Sequence, residues 1–295
     1  MSASNLKILF VINPISGTKA KIAWEPAIRR YFLNLQHNFD FFLLDGKDDA
    51  TSLKYWIEKL QPERVIAVGG DGTVSLVAEQ LLRTNIAMGI LPAGSANGMA
   101  KELNIPVDVN EALDIIVNGQ IKKCDAIRIN DEEICLHLSD LGFNAQLIKY
   151  FDQGNLRGKL GYFLKIFKVL WRKRLMDVTI QTNKEEIKRR AFMVVIANAS
   201  KYGTGALINP EGNLDDGLFE IVVVRRINLF SILKMFLKFK RFNPKKVELF
   251  QAESAVITTA KKTHFQVDGE YLGRVINVKA EILKSQLMLI LPHKS

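Results

Sequence analysis

The run Arg64-Val65-Ile66-Ala67-Val68-Gly69-Gly70-Asp71-Gly72-Thr73 decides the fold. A short, continuously apolar segment that ends in glycines reads as a buried strand of a parallel sheet, and the helical periodicity that sets in near Thr73 reads as the helix after it. Three glycines let the main chain turn tightly and approach a phosphate chain, while a helix start offers unpaired N–H groups and the positive end of its dipole. A carboxylate beside phosphate is repelled unless a cation lies between them, so Asp71 is placed for Mg²⁺ or for a water on it. A plain strand-to-helix turn in which Asp71 caps the helix is the alternative.

The same alternation extends on both sides. Strands are expected at Lys7 to Ile12, Phe39 to Leu44, Arg64 to Val68 and Ile86 to Leu91, with helical spacing between them at Trp56, Ile57 and Leu60 and at Leu76, Val77, Leu81 and Leu82. Two further polar, Gly-containing turns follow strands: Asn13-Pro14-Ile15-Ser16-Gly17 after the first and Leu91-Pro92-Ala93-Gly94-Ser95-Ala96-Asn97-Gly98 after the fourth. Three such turns at the carboxyl ends of strands in one sheet mark the edge where open α/β sheets bind ligands. Asn13, Ser95 and Asn97 add uncharged donors and acceptors suited to a nucleotide. Neither a lysine-bearing Walker loop nor G-x-G-x-x-G occurs, which argues against P-loop enzymes and dinucleotide-dependent dehydrogenases.

From Cys124 onward strand-like segments dominate: Ala126 to Ile129, Ile134 to Leu138, Asp177 to Thr182, Ala191 to Ala197, Leu218 to Val224, Ala255 to Thr259, His264 to Val267, and Val275 to Leu291 with breaks. The expectation is an α/β nucleotide-binding domain over residues 1–123 and a β-rich sandwich or barrel with two helices over 124–295. A return of the last strand to the first domain is left open, and the cleft between the domains is the default ligand site. The two cysteines, Cys124 and Cys135, and four scattered histidines assemble neither a disulfide framework nor a zinc site, which fits a reducing cytoplasm. The apolar runs fall far short of the ~20 residues of a spanning helix. The N-terminal stretch reads as a first strand rather than a secretory signal. A net charge of +10 favours an anionic partner.

Taken together, NPxSG, GGDGT and PxGSxN, in this order and spacing, resemble the diacylglycerol kinase catalytic domain family, which includes bacterial lipid kinases and sphingosine and ceramide kinases. The resemblance continues through Gly142-Phe143, Asn213-Leu214-Asp215-Asp216-Gly217-Leu218 and Val267-Asp268-Gly269-Glu270, and so spans nearly the whole chain. It implies a phosphofructokinase-like nucleotide domain, a β-rich lipid-binding domain, and ATP and Mg²⁺ as cofactors. Carried over residue by residue, Asn13, Gly69, Gly70, Asp71, Gly72, Thr73, Ser75, Ser95 and Asn97 would hold ATP, with Asp71 linked to the catalytic magnesium and Asp125 assisting it. Asn213, Asp216 and the carbonyl of Leu218 would surround a second, structural Mg²⁺. Asp268 and Glu270 would hold the general base.

On a strand, Asp268 and Glu270 would share one face, so that one takes the proton and the other orients it or the metal. Asp-Gly is also a good turn former, and a mere hairpin corner is the alternative there. Three positions depart from the family pattern: Gly98 stands where an aspartate is common, Ser95 replaces threonine but keeps the hydroxyl, and Leu44 replaces a threonine near the nucleotide.

Residues 157–174 carry seven basic and no acidic side chains, interleaved with Leu160, Phe163, Leu164, Phe167, Leu170 and Trp171, and residues 225–246 carry eight and none. Such helices suit an anionic membrane surface, with Lys165, Lys168 and Arg172 on one face. Packing on the sandwich with a solvated basic face is the alternative. No nucleic-acid motif accompanies the charge. The expected protein is a cytoplasmic, peripherally membrane-associated lipid kinase of phospholipid metabolism, acting on diacylglycerol or a sphingoid lipid, with a homodimer left open. The rivals are a kinase for a soluble acceptor such as NAD and a non-catalytic lipid- or nucleotide-binding module.

Overall fold

The structure, a computed structural model, describes residues 5–16, 24–152, 175–200, 209, 212–225 and 247–293. Its internal contacts divide the chain into two compact units, Met1–Cys124 with Ser285–Ser295, and Asp125–Lys284.

The first unit contains β1 (Lys7–Ile12), α1 (Trp24–Phe32), β2 (Asn38–Leu43), α2 (Asp49–Leu60), β3 (Arg64–Gly69), α3 (Asp71–Leu81), β4 (Ala87–Pro92), α4 (Gly98–Glu102), α5 (Val109–Asn118) and the start of β5 (Gln120–Ile129). Strands β4, β3, β1 and β2 are neighbours in that order, all parallel. The final stretch of β14 (Glu270–Leu291) adds a fifth parallel strand on β4, with Met288 opposite Ala87. Chain order reverses direction between β1 and β3, the topological switch at which such sheets bind ligands.

Strands β3 and β4 are buried almost throughout, as their unbroken apolar runs require. Helix α3 buries Val74, Val77, Ala78 and Leu81, one stripe at helical spacing. Helix α5 begins where the Asp108 carboxylate accepts the N–H groups of Asn110 and Glu111, both at 3.0 Å. The fully buried Phe10 meets Phe32 edge-on at 5.9 Å between centroids, tying β1 to α1, a contact worth about 0.5–1.5 kcal/mol beyond the area it buries.

The second unit holds the rest of β5, then β6 (Glu133–Cys135), β7 (Leu138–Gly142), α6 (Phe143–Asp152), β8 (Met176–Thr182), β9 (Glu186–Ala191), β10 (Met193–Ala197), β11 (Phe219–Val224), β12 (Val247–Ala252), β13 (Ser254–Val267) and most of β14. One antiparallel path runs β12-β11-β10-β7-β13-β14. Strand β13 loses register between Thr258 and Thr263. Its first half pairs with β8 and its last residues pair with β7, so one long strand serves both layers of a sandwich. The core between the layers gathers Ile127, Leu141, Ile180, Val194, Phe219, Ile221, Ile257, Phe265 and Val278. Each such buried side chain contributes roughly 1.5–3 kcal/mol.

Several expected strands shift or divide. The second, third and fourth strands move by a residue at one or both ends. Ile134 to Leu138 becomes β6 and β7, because the consecutive N–H groups of Leu136, His137 and Leu138 all turn to one carboxylate instead of alternating along a ladder. Ala191 to Ala197 divides at Phe192, where the chain leaves β8 for β7 and β11. Ala255 to Thr259 and His264 to Val267 are one strand with a bulge. The stretches 157–174 and 226–246, read as basic helices, lie outside the described residues, as does Gly17.

Candidate functional site

In the first unit, three loops at the carboxyl ends of β1, β3 and β4 are locked together. After β1, the side-chain oxygen of Asn13 accepts the Ile15 N–H at 3.1 Å, shaping a tight turn, and its amide donates to the Thr73 hydroxyl at 3.2 Å. After β4, Ala93 and Gly94 donate main-chain N–H groups to the Gly69 carbonyl at 2.9 and 3.2 Å, and the Asn97 side chain closes a ring on Gly94 through two hydrogen bonds of 2.8 and 2.9 Å. Asn97 itself sits at φ 50°, a region asparagine tolerates.

Gly69 and Gly94 are sterically required. A Cβ on Gly69 would run into the Thr73 side chain, and one on Gly94 would run into the Gly70 backbone. Helix α3 is N-capped by Gly70, which offers its first-turn N–H groups no side-chain acceptor.

Asp71 opens α3, and its two carboxylate oxygens accept the N–H groups of Gly98 and Met99 at 3.0 and 3.1 Å. It therefore starts α4, not only α3, and it ties the second loop to the third. Gly98, which departs from the family pattern, is the residue whose N–H it takes. Thr73 is buried and engaged by Asn13, whereas Gly72 and Ser95 are exposed, and Ser75 lies half-buried on α3. Leu44, also a departure, is buried, with its N–H on the Ile12 carbonyl.

In the second unit, the loop before β11 and the β13–β14 hairpin belong to one buried polar network. The Asp125 carboxylate accepts the Gly217 N–H at 2.7 Å, and the Asp125 N–H donates to the Leu214 carbonyl at 2.6 Å. This fixes the loop that carries Asn213 and Asp216, both exposed, with Asp216 accepting the Leu218 N–H at 3.0 Å. The buried Asn198 amide donates to the carbonyls of Asp125 and Leu136, each at 3.0 Å. From Leu136 to Leu138 the N–H groups converge on Asp268 at 2.7 to 3.0 Å, and the Cys135 thiol adds a contact at 3.4 Å.

The Asp268–Gly269 pair is a two-residue hairpin corner with φ 45° and 95°, and Val267 pairs with Glu270 across it. The expectation that Asp268 and Glu270 share one strand face is thereby corrected: Asp-Gly takes the left-handed turn its sequence favours, and Asp268 points back onto the segment before β7. Burial pushes its carboxyl above the ordinary range, against the opposing pull of His137 and of the N–H groups from Leu136 to Leu138. Burial and the neighbouring Asp268 also push the Cys135 thiol well up. Glu270 is exposed.

The residues that brace this hairpin escape a sequence reading. Gln266 donates to Asp140 at 2.5 Å and its oxygen accepts the Gly269 N–H at 2.7 Å, while Asp140 accepts the Ala145 N–H and so starts α6. Gln266 lies on β13, Asp140 on β7 and Ala145 on α6, so no local spacing links them. Only the placement of Asp140 a few residues before an apolar helix hints at capping.

Comparison with known proteins sets this geometry in a family. Residues 7–129 match the diacylglycerol kinase catalytic domain, and residues 139–291 match the YegS C-terminal NAD kinase beta sandwich-like domain. An uncharacterized protein of Synechocystis sp. is 31% identical over 306 residues, covering 96% of this chain and 69% of that protein. A diacylglycerol kinase of Bacillus subtilis (strain 168) is 26% identical over 272 residues, covering 89% of each. Among solved structures, a putative diacylglycerol kinase from Bacillus anthracis superposes with a TM-score of 0.81 at 22% identity over 98% of both chains, which shows a common fold. By its two successive domains, the chain belongs to the diacylglycerol kinase catalytic-domain family, in the form completed by a YegS-type β-sandwich.

Proposed function

We propose that this protein is a lipid kinase that transfers the γ-phosphoryl group of ATP to a lipid hydroxyl, of diacylglycerol or a sphingoid lipid. The observation that carries the reading is the interlocked set of glycine loops at the switch point between β1 and β3, with the uncapped start of α3 beside them. Close main-chain approach and free N–H groups are what a polyphosphate needs. The family membership and the names of curated relatives, diacylglycerol kinases among them, support the reaction class.

The oxygen donors fit a hard divalent cation. Asp71 spends one lone pair of each carboxylate oxygen on Gly98 and Met99 and keeps others, and the exposed side chains of Asn213 and Asp216 with the Leu218 carbonyl, all on one short loop, offer a second group of oxygen donors. Asp71 would hold the catalytic Mg²⁺ and the second group a structural one. Such an ion would supply charge neutralisation on the phosphates.

The chain's own residues divide the remaining work. Asn13 and Asn97 hold the first and third loops in place, and Asp71 fixes the spacing of the second from the third. Glu270, exposed at the end of the hairpin, accepts the proton of the acceptor hydroxyl. Asp268, its carboxylate held by three N–H groups, keeps that hairpin rigid. Asp125 holds the loop of Asn213 and Asp216.

The test is incubation of the purified protein with γ-labelled ATP, Mg²⁺ and mixed micelles of lipid extract. Label in the organic phase that disappears with Asp71→Asn and with Glu270→Gln supports the reading. Label only in water-soluble products would assign a soluble acceptor, and no transfer despite ATP binding would assign a non-catalytic module.

A further inference from the structure

Strand β14 carries Tyr271 and Arg274 three residues apart, a spacing that in a regular strand puts side chains on opposite faces. Here Tyr271 pairs with Gln266 and Arg274 pairs with His264, two residues apart on β13, so both lie on one face. The extra residue is accommodated at Gly273, at φ 91°. That face is the one on which Gln266 reaches Asp140, and Asp140 starts α6 through Ala145. One turn further along α6, the Lys149 ammonium lies 5.6 Å from the centre of the Tyr271 ring. His264 Nδ1 and the Tyr271 hydroxyl share a hydrogen bond of 2.7 Å. Glu270, paired with the core residue Val267, takes the other face.

The Lys149 ammonium, a phenol and an imidazole thus come together, with Arg274 opposite His264 on the same strand face and close enough to bear on its charge, and among the described residues neither Lys149 nor Arg274 is in an ion pair. The imidazole is held neutral, its pKa pushed down to about 4 by burial and by Arg274 and Lys149. A neutral His–Tyr pair has one N–H and one O–H, and their mutual bond uses one of them. Whichever tautomer is present, one donor is left for a third party.

We propose that Lys149, His264, Tyr271 and Arg274 form a binding site for a phosphate group, sharing no residue with the nucleotide loops or with Glu270. Two fixed positive charges match a phosphate monoester better than a carboxylate. The guanidinium and ammonium would donate charge-assisted hydrogen bonds, and the His–Tyr pair a third. The assignment does not depend on the lipid kinase reading. The phosphate belongs either to a free anion or to a lipid headgroup.

The experiment follows the His264 ring by NMR in the full chain labelled at histidine, with resonances assigned through His264→Gln. Inorganic phosphate is titrated against chloride of equal ionic strength, and bicelles of phosphatidylcholine with and without phosphatidic acid are titrated separately. A saturable shift with a rise in the His264 pKa is expected. Arg274→Gln or Lys149→Gln should raise half-saturation by about tenfold, the loss of one charge-assisted hydrogen bond. Saturation by inorganic phosphate supports a free anion as sufficient ligand. A response confined to phosphatidic acid bicelles supports a lipid headgroup. No response beyond the chloride and phosphatidylcholine controls, or one unchanged when Lys149→Gln and Arg274→Gln are combined, overturns the site.

Discussion

Gly70 and Gly94 meet main chain to main chain, and a Cβ on Gly70 would already lie 3.3 Å from the Cα of Gly94. In the reverse direction the added Cβ would overlap backbone, which cannot swing aside as a side chain does. Gly94→Ala must therefore displace residues 93–97 from the end of β3, at a cost of about 1–3 kcal/mol. Affinity for a non-hydrolysable ATP analogue, measured calorimetrically, should fall by at least about tenfold, since positioning carries most of the reaction. Undiminished affinity in a folded variant would place the nucleotide elsewhere.

Asp125 is buried with its carboxylate on the Gly217 N–H. Asp125→Ala leaves that donor unsatisfied and should cost about 1–3 kcal/mol in urea denaturation, whereas Asp125→Asn, which keeps an acceptor oxygen, should cost less. Equal losses for the two variants would show that charge, not the hydrogen bond, anchors the loop.

Asp268 has a carboxyl raised above its ordinary 3.8 by burial. Between the unfolded value and the raised folded one, the native state binds more protons than the unfolded state, so stability falls as pH rises through that window. The unfolding free energy of wild type minus that of Asp268→Asn should therefore decline as pH rises above about 4. A difference that grows with pH across the same range would mean that the hydrogen bonds outweigh burial.

His264 works in the opposite direction. Its folded pKa of about 4 lies below the ordinary 6.5, through burial and the nearby Arg274 and Lys149, with Tyr271 as its hydrogen-bond partner. The unfolded state binds more protons in that interval, so stability contributed here rises with pH from 4 to 6.5. Against His264→Gln, wild type should lose stability on acidification over this range. A parallel pH dependence of the two proteins would sink the assignment of a neutral ring.

The parallel sheet was legible because its signals are local. The strand Val65 to Val68, the glycines after it and the stripe at Val74, Val77, Ala78 and Leu81 all lie within one βα unit. Strands β9 and β12 were missed, since their alternation is weak: β9 buries only Ile187 and Ala191 among charged neighbours. In the second unit the sequence names single residues but not their geometry. Asp268 finds its partners at Leu136 to Leu138 more than a hundred residues away, and no window of sequence carries that relationship. The hairpin corner illustrates the reverse: Asp-Gly stated its own conformation, and strand alternation was the wrong period to apply across it.

Strand β14 starts in one unit and finishes beside β4, pairing Met288 with Ala87 about 200 residues earlier in the chain. During synthesis, β1 to β4 leave the ribosome first, and the edge of β4 waits for a neighbour that emerges only after the whole sandwich. Until then the nascent sheet carries an open strand edge and is exposed to mispairing. The unit translated first is thus among the last to be completed, and its maturation is tied kinetically to that of the other.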